Sequence, residues 1–259
     1  MPELPDLEVL SLNLNPKIKG KTIKGIKVYR PKNLNVSTEK LKNRIENQSI
    51  REFRRDGKQL LMEFESGEIL GFQLRLNGWI QFFKESNPHK YAVMELYFQD
   101  GTAIVLTDPR GLAKALLNPV KPKGIDAMSS ALTPEFLKEK MAGKSILIKK
   151  FLIDQDIIQG IGNRYSDEIL WKAGISPFSI CNKIPQEKIH VLSDAIKIVL
   201  GQTTKQILDL HPDNASGEIL DFLLIHHPKK KKSPTGASIQ TKLIDSRKTY
   251  FTSEQELYV

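Results

Sequence analysis

The chain has 259 residues, a formal net charge of +9 and a hydrophobic fraction of 40%. That length buries enough apolar surface for one large domain or two modest ones, and the basic balance suits a polyanionic partner. One cysteine, Cys181, excludes an intrachain disulfide and a cysteine-based zinc site, and no apolar run is long enough to span a bilayer. The N-terminus lacks a signal-peptide core, so a cytoplasmic, nucleoid-associated location is expected.

The chain opens MPELPDLEVLSLNLNPKIKG. Leu7, Val9, Leu10, Leu12 and Leu14 predict an amphipathic helix with Pro5 in its first turn, stopped by Pro16 and Gly20. Pro2 and Glu3 read either as a frayed start or as chemistry. With Met1 removed, Pro2 becomes a secondary amine of modest pKa, able to attack a sugar C1′ and form an iminium. Glu3 beside it can protonate a leaving group or the ring oxygen.

From Thr22 to Leu117 short alternating segments predict strands: Ile23–Val28, Leu60–Phe64, Ile69–Gln73, Ile80–Phe82, Val93–Phe98 and Ala103–Leu106. Asp56-Gly57, Ser66-Gly67, Asn77-Gly78 and Asp100-Gly101 mark turns between them. Leu41 and Ile45 predict a helix interrupting the strands. Many short strands argue a β-sandwich or barrel. Residues 119–122 read as a linker. Thr133 and Pro134 then open a helix, which Ile146 to Ile153 continues.

The most distinctive stretch is Gln159 to Pro177, QGIGNRYSDEILWKAGISP. A glycine turn separates two helical patterns. Gly160 and Gly162 permit angles that side chains resist, Asn163 takes the N-cap position, and Gly174 and Pro177 end the second helix. A glycine-rich turn opening a helix offers unpaired N–H groups to an anion, although by itself it reads more readily as a tight packing turn. A helix over 186–210, a polar loop at 211–218, a lysine run at 229–232 and two short strands complete the chain.

These motifs resemble the formamidopyrimidine-DNA glycosylase / endonuclease VIII family. The central stretch is similar to that family's helix–two-turn–helix, GxGNxYxDEILxxAxIxP, and PELPDLE is similar to its start, PELPEVE, with Asp6 for glutamate. GFQLRLNGW resembles HLxMxG with Gln73 and Leu76 at the histidine and methionine positions. DPRGLA resembles DPRRFG, with Gly111 for the second arginine and Leu112 for phenylalanine. Gly124-Ile-Asp-Ala-Met resembles the linker motif GxDxL. The tail resembles a four-cysteine β-hairpin finger, CPxCGxxI…GRxTxYCxxCQ, without its cysteines, and Ser233 stands at one cysteine position.

The resemblance implies an α+β protein. It would have an N-terminal β-sandwich with an N-terminal helix (1–120), a helical helix–two-turn–helix domain (121–228) and a zincless β-hairpin finger (229–259) packed through Ile239, Leu243, Tyr250 and Phe251. It implies a bifunctional DNA glycosylase and apurinic/apyrimidinic lyase acting as a monomer on damaged duplex DNA, with no metal or organic cofactor. Pro2, Glu3, Lys58 and Arg247 would be catalytic. Lys149, Asn163, Gly162 and Tyr165 would bind DNA backbone, and Arg110, Leu76 and Leu112 would fill the gap left by the everted nucleotide. Two rivals stand beside it: a catalytically inactive DNA-binding relative, and an RNA- or ribosome-associated protein with a similar turn.

Overall fold

The computed structural model describes residues 1–210 and 218–259, so the polar loop expected at 211–218 falls, Glu218 aside, outside the described residues. The chain divides into two compact units. One comprises Met1–Lys121 with Ile207–Glu218, the other Pro122–Gln206 with Ile219–Val259. The hairpin thus groups with the helices instead of standing as a third body.

In the first unit, helix α1 (Leu4–Ile18) precedes strand β1 (Ile23–Val28) and helix α2 (Thr38–Ile45). Strands β2 (Ile50–Asp56), β3 (Gln59–Phe64), β4 (Ile69–Gln73), β5 (Trp79–Lys84), β6 (Ala92–Phe98), β7 (Thr102–Thr107) and β8 (Lys114–Leu117) follow. They form two four-stranded antiparallel sheets, ordered β1-β6-β7-β5 and β2-β3-β4-β8. Leu7, Leu10, Leu14 and Ile18 recur at three- and four-residue steps along α1, and they share one core with side chains of both sheets such as Phe53, Phe72, Leu96 and Phe98. Each leucine fully withdrawn from water contributes about 1.5–3 kcal/mol. This is the expected β-sandwich with its N-terminal helix.

Three details differ from the sequence reading. Helix α1 runs through Pro16 to Ile18, because a proline in the last turn forfeits a single backbone bond. Strand β2 has no clean alternation, since a register shift between Ile50 and Glu52 breaks the period of two. Strand β8 is only four residues long.

The second unit holds a strand pair, β9 (Ile125–Asp126) with β10 (Ile158–Gln159), and helices α3 (Pro134–Met141), α4 (Ile148–Ile153), α5 (Asn163–Ala173) and α6 (Gln186–Leu210), the last up to Gln206. Strands β11 (Gln240–Ile244) and β12 (Arg247–Phe251) close it as a hairpin. Thr133 caps α3 as expected, its hydroxyl accepting the Phe136 N–H at 3.2 Å. The 146–153 segment does not continue α3, since Ala142 leaves the helical region and Gly143 has φ +72°. Gly162, not Asn163, is the N-cap of α5, in an ordinary extended conformation. Gly174, with φ +67°, ends α5 as expected.

Helix α5 is the hub of this unit. Its neighbouring carboxylates Asp167 and Glu168 are both buried. Asp167 Oδ1 pairs with the Lys149 ammonium from α4. Its Oδ2 accepts the Tyr250 N–H of β12 at 2.9 Å and meets His226 Nδ1 at 2.6 Å. Glu168 accepts the N–H groups of Leu224, Ile225 and His226 at 2.9, 2.9 and 2.7 Å. Burial pushes the Glu168 carboxyl above its ordinary range, and those N–H bonds pull the other way. One helical turn therefore holds α4, the 224–226 segment and the hairpin.

Asp167→Ala strands a buried ammonium and an unpaired strand N–H. It is expected to lower the stability of this unit by about 3–5 kcal/mol. Replacing both charges, Lys149→Met with Asp167→Leu, is expected to recover the part of that loss due to the stranded ammonium, in urea unfolding, and not the part due to the Tyr250 N–H.

Candidate nucleic-acid and catalytic site

In the first unit the expected catalytic groups gather at one end of the sandwich. Glu3 is the N-cap of α1 and is buried, and its N–H donates to Asp6 Oδ2 at 2.9 Å. Pro2 is buried as well, acylated by Met1, whose amino group pairs with Glu218. Helix α1 is aligned with β2 at two points. Phe53 N donates to Asn15 Oδ1 at 2.8 Å, and Arg55 Nε bonds Glu8 Oε2 at 2.5 Å. Moving up β2 therefore means moving toward the start of α1. The β2–β3 turn that carries Lys58 lies at the same end as Pro2 and Glu3. Arg55 also donates to the Gly57 carbonyl at 3.2 Å, stiffening that turn. Lys58 is half-buried there.

Two loops of the same unit carry the expected gap-filling groups. In 74–78, Gly78 N donates to the Leu74 carbonyl at 2.9 Å, and Leu76 projects 42% exposed. Gly78 has to be a glycine. A Cβ there would strike the Leu74 carbonyl and come within 2.8 Å of the Ala113 side chain. That close approach puts 74–78 beside the second loop, 108–113.

The second loop is built around a fully buried carboxylate. Asp108 Oδ1 accepts the Arg110 N–H at 2.9 Å, and Oδ2 accepts those of Leu112 and Ala113 at 2.5 and 2.7 Å. Asn33 Nδ2 donates from the other side to the carbonyls of Gly111 and Ala113, at 3.0 and 2.5 Å. Arg110 is exposed and Leu112 is 46% exposed. Leu76 and Leu112 thus stand about half exposed on adjacent, braced loops, as an inserting wedge would. The structural parts of Asp108 and Asn33 were not read from the sequence. Only the aspartate lay inside a motif, and the asparagine sits in a short 3-10 turn far away in the chain.

In the second unit several expected DNA contacts prove to be internal. Lys149 is fully buried against Asp167 and the Asn163 carbonyl, so the expectation of a direct phosphate contact is corrected to a strut beneath the turn. Tyr165 is fully buried and Gly162 is also enclosed, so neither side-chain position faces solvent. Asn163 is half-buried and donates to the Lys248 carbonyl of β12 at 2.9 Å, docking the hairpin on α5. Gly160 has φ +97° as expected, whereas Gly162 does not need its freedom. The turn is held by a residue the sequence reading passed over. Gln155 Oε1 accepts the Gly160 N–H at 3.1 Å, and its Nε2 donates to the Ile153 and Ile161 carbonyls at 2.8 Å each. Arg247 is exposed at the start of β12, just after the Asp245–Ser246 turn, whose two residues both have positive φ.

The hairpin base has no thiol chemistry. Ser233 Oγ lies 2.7 Å from Thr235 Oγ1 and donates to Glu254 Oε2 at 3.2 Å. That carboxylate also accepts Thr252 Oγ1 at 3.1 Å, and Gln255 Oε1 accepts the Thr252 N–H at 2.8 Å. The hydroxyls of Thr235, Thr252 and Ser233 and the Trp171 indole hold the Glu254 carboxyl below its ordinary range. Tyr250 is buried against His226, and Phe251 meets Phe178 edge-on at 5.0 Å. Leu243 was expected to pack but is 66% exposed, since it lies on the open face of β11. Among the described residues no group of three or more His, Cys, Asp or Glu side chains could hold a metal, and no helix is long and apolar enough to cross a membrane. Cys181 is buried, and that burial pushes its thiol up to about 12.

Comparison with known proteins bears on all of these elements. The formamidopyrimidine-DNA glycosylase N-terminal domain pattern matches residues 1–115, and the helix–two-turn–helix domain pattern of the same enzymes matches 124–208. The formamidopyrimidine-DNA glycosylase of Carboxydothermus hydrogenoformans is 35% identical over 210 residues, covering 77% of this chain and 76% of that protein. That of Lactobacillus helveticus is 32% identical over 234 residues, covering 86% and 85%. The Lactococcus lactis enzyme, solved non-covalently bound to DNA containing an abasic site, superposes with a TM-score of 0.87 at 25% identity, covering 98% of this chain and 99% of that one. With both halves matched and relatives this similar over most of their length, the chain belongs to the formamidopyrimidine-DNA glycosylase family.

Proposed function

We propose that the chain is a base-excision-repair DNA glycosylase that removes a damaged base through Pro2 and then nicks the strand as an apurinic/apyrimidinic lyase. The observation that carries this is the placement of Pro2, Glu3 and the Lys58 turn at one end of the sandwich, in a chain whose relatives are named for base excision.

The reaction follows from these groups. A base stacked in a duplex shields its C1′, so the nucleotide has to be everted. Leu76 and Leu112 fill the space it leaves, Arg110 faces the unpaired partner base, and Lys58 and Arg247 hold phosphates. The Pro2 nitrogen attacks C1′ with its lone pair. The C1′–base bond breaks, and the base departs with that electron pair and a proton. Ring opening passes the C1′–O4′ pair to O4′, which takes a proton from Glu3, and an iminium remains. The iminium acidifies the 2′ hydrogens. Loss of one expels the 3′ phosphate and cuts the strand, and water releases Pro2.

The amine exists only after Met1 leaves. In the chain that retains it, Pro2 is an amide buried beneath a paired terminus. Intact mass of the active protein is therefore expected to lack one methionine. Borohydride is expected to trap a covalent adduct with abasic-site duplex. Pro2→Gly should weaken or abolish that adduct, and a trapped yield equal to wild type would rule out Pro2 as nucleophile. Glu3→Gln should slow base release by about 10²–10⁴-fold while leaving duplex binding intact. Binding lost in step with catalysis would instead make Glu3 merely the cap of α1.

A further inference from the structure

We infer that Arg30 is a DNA-contacting residue, supplying the 108–113 loop with a second guanidinium that its own sequence lacks. The inference rests on the glycosylase reading above.

In the family pattern this loop resembles, two arginines stand side by side, and here Gly111 takes the second place. Gly111 adopts φ +65°, and the space a side chain would enter is already occupied. A Cβ built on Gly111 would collide with Arg30 Nη1 and lie 2.9 Å from its Cζ and 3.5 Å from its Nε. The guanidinium thus points its Nη1 end at the bare backbone of the loop, at the position between Arg110 and Leu112 in sequence. Its own segment is tied to the same loop. Asn33 bonds the Gly111 and Ala113 carbonyls, and Asn35 exchanges two 2.8 Å bonds with the Leu117 backbone.

Charge makes the case sharper. In this unit Arg44, Arg51, Arg54 and Arg55 each pair with a glutamate. Arg30 is half-buried, and among the described residues its guanidinium has neither a carboxylate nor a hydrogen-bond partner. A partly desolvated guanidinium without a counter-ion is costly, and its five-donor fork matches a phosphodiester or a purine edge. It shares a loop surface with exposed Arg110 and Leu112, and that surface is the one proposed to meet DNA.

The test measures binding of wild type and Arg30→Ala to abasic-site duplexes carrying each of the four bases opposite the gap, between 50 and 200 mM salt. Arg30→Ala is expected to weaken binding about tenfold, within the range of one good arginine contact. If the acceptor is a phosphate, the loss is uniform across the four duplexes, and the slope of log K against log salt falls by about 0.9. If it is a base edge, the loss depends on the opposite base. Arg30→Lys, which keeps the charge but not the fork, is expected to recover the wild-type salt slope if the acceptor is a phosphate and to stay weak if it is a base edge. Wild-type affinity, salt slope and base ranking in Arg30→Ala, with wild type itself binding, would overturn the inference alone. Failure of wild type to bind any of the duplexes would overturn the glycosylase reading and this inference with it.

Discussion

The second unit depends on one buried carboxylate. Asp167 receives an ammonium from α4, a strand N–H from the hairpin and an imidazole from the 224–226 segment, all on one side chain of α5. Away from water each of these bonds is strong, and leaving any partner unmet is expensive. The geometry of the glycine turn, the start of β12 and therefore the place of Arg247 all follow from where that carboxylate sits. Gln155 performs the same service on the other side of the turn, and Asn163 joins turn to hairpin directly. Residues that look like ligands for DNA by their type serve here to hold the turn and the hairpin in place.

The first unit applies the same device to loops. Asp108 gathers the N–H groups of its own loop as a buried anion, so Arg110 and Leu112 project from a fixed frame. Gly78 lets the neighbouring loop approach, which sets Leu76 beside them. Preorganisation matters because inserting a wedge into stacked bases is unfavourable by several kcal/mol unless the wedge is already ordered.

Much of this was legible in the residues. Strong alternation exposed most strands, turn dipeptides separated them, and helical spacing marked α1, α5 and α6. The reading failed where local rules are overridden. The bulge in β2 hides its period, and the last turn of α1 tolerates Pro16, which by type alone predicts a stop. The resemblance puts Lys149 on a DNA phosphate. Only the fold reveals that Asp167, 18 residues on, lies in wait for its charge. Asn33 and Arg30 escaped notice for the same reason, since their partners at 111 and 113 are some 80 residues distant. Motif spacing reports neighbours along the chain, and these contacts arise across it.

The base of the hairpin has a chemical consequence. Hydroxyls, a carboxylate and a carboxamide knit Ser233, Thr252, Glu254 and Gln255 together. None of these groups climbs the sulfur oxidation ladder, and chelators have nothing there to extract. A hairpin joined by such bonds presents no thiolate at its base for peroxide to attack, so its packing does not hinge on the redox state of sulfur.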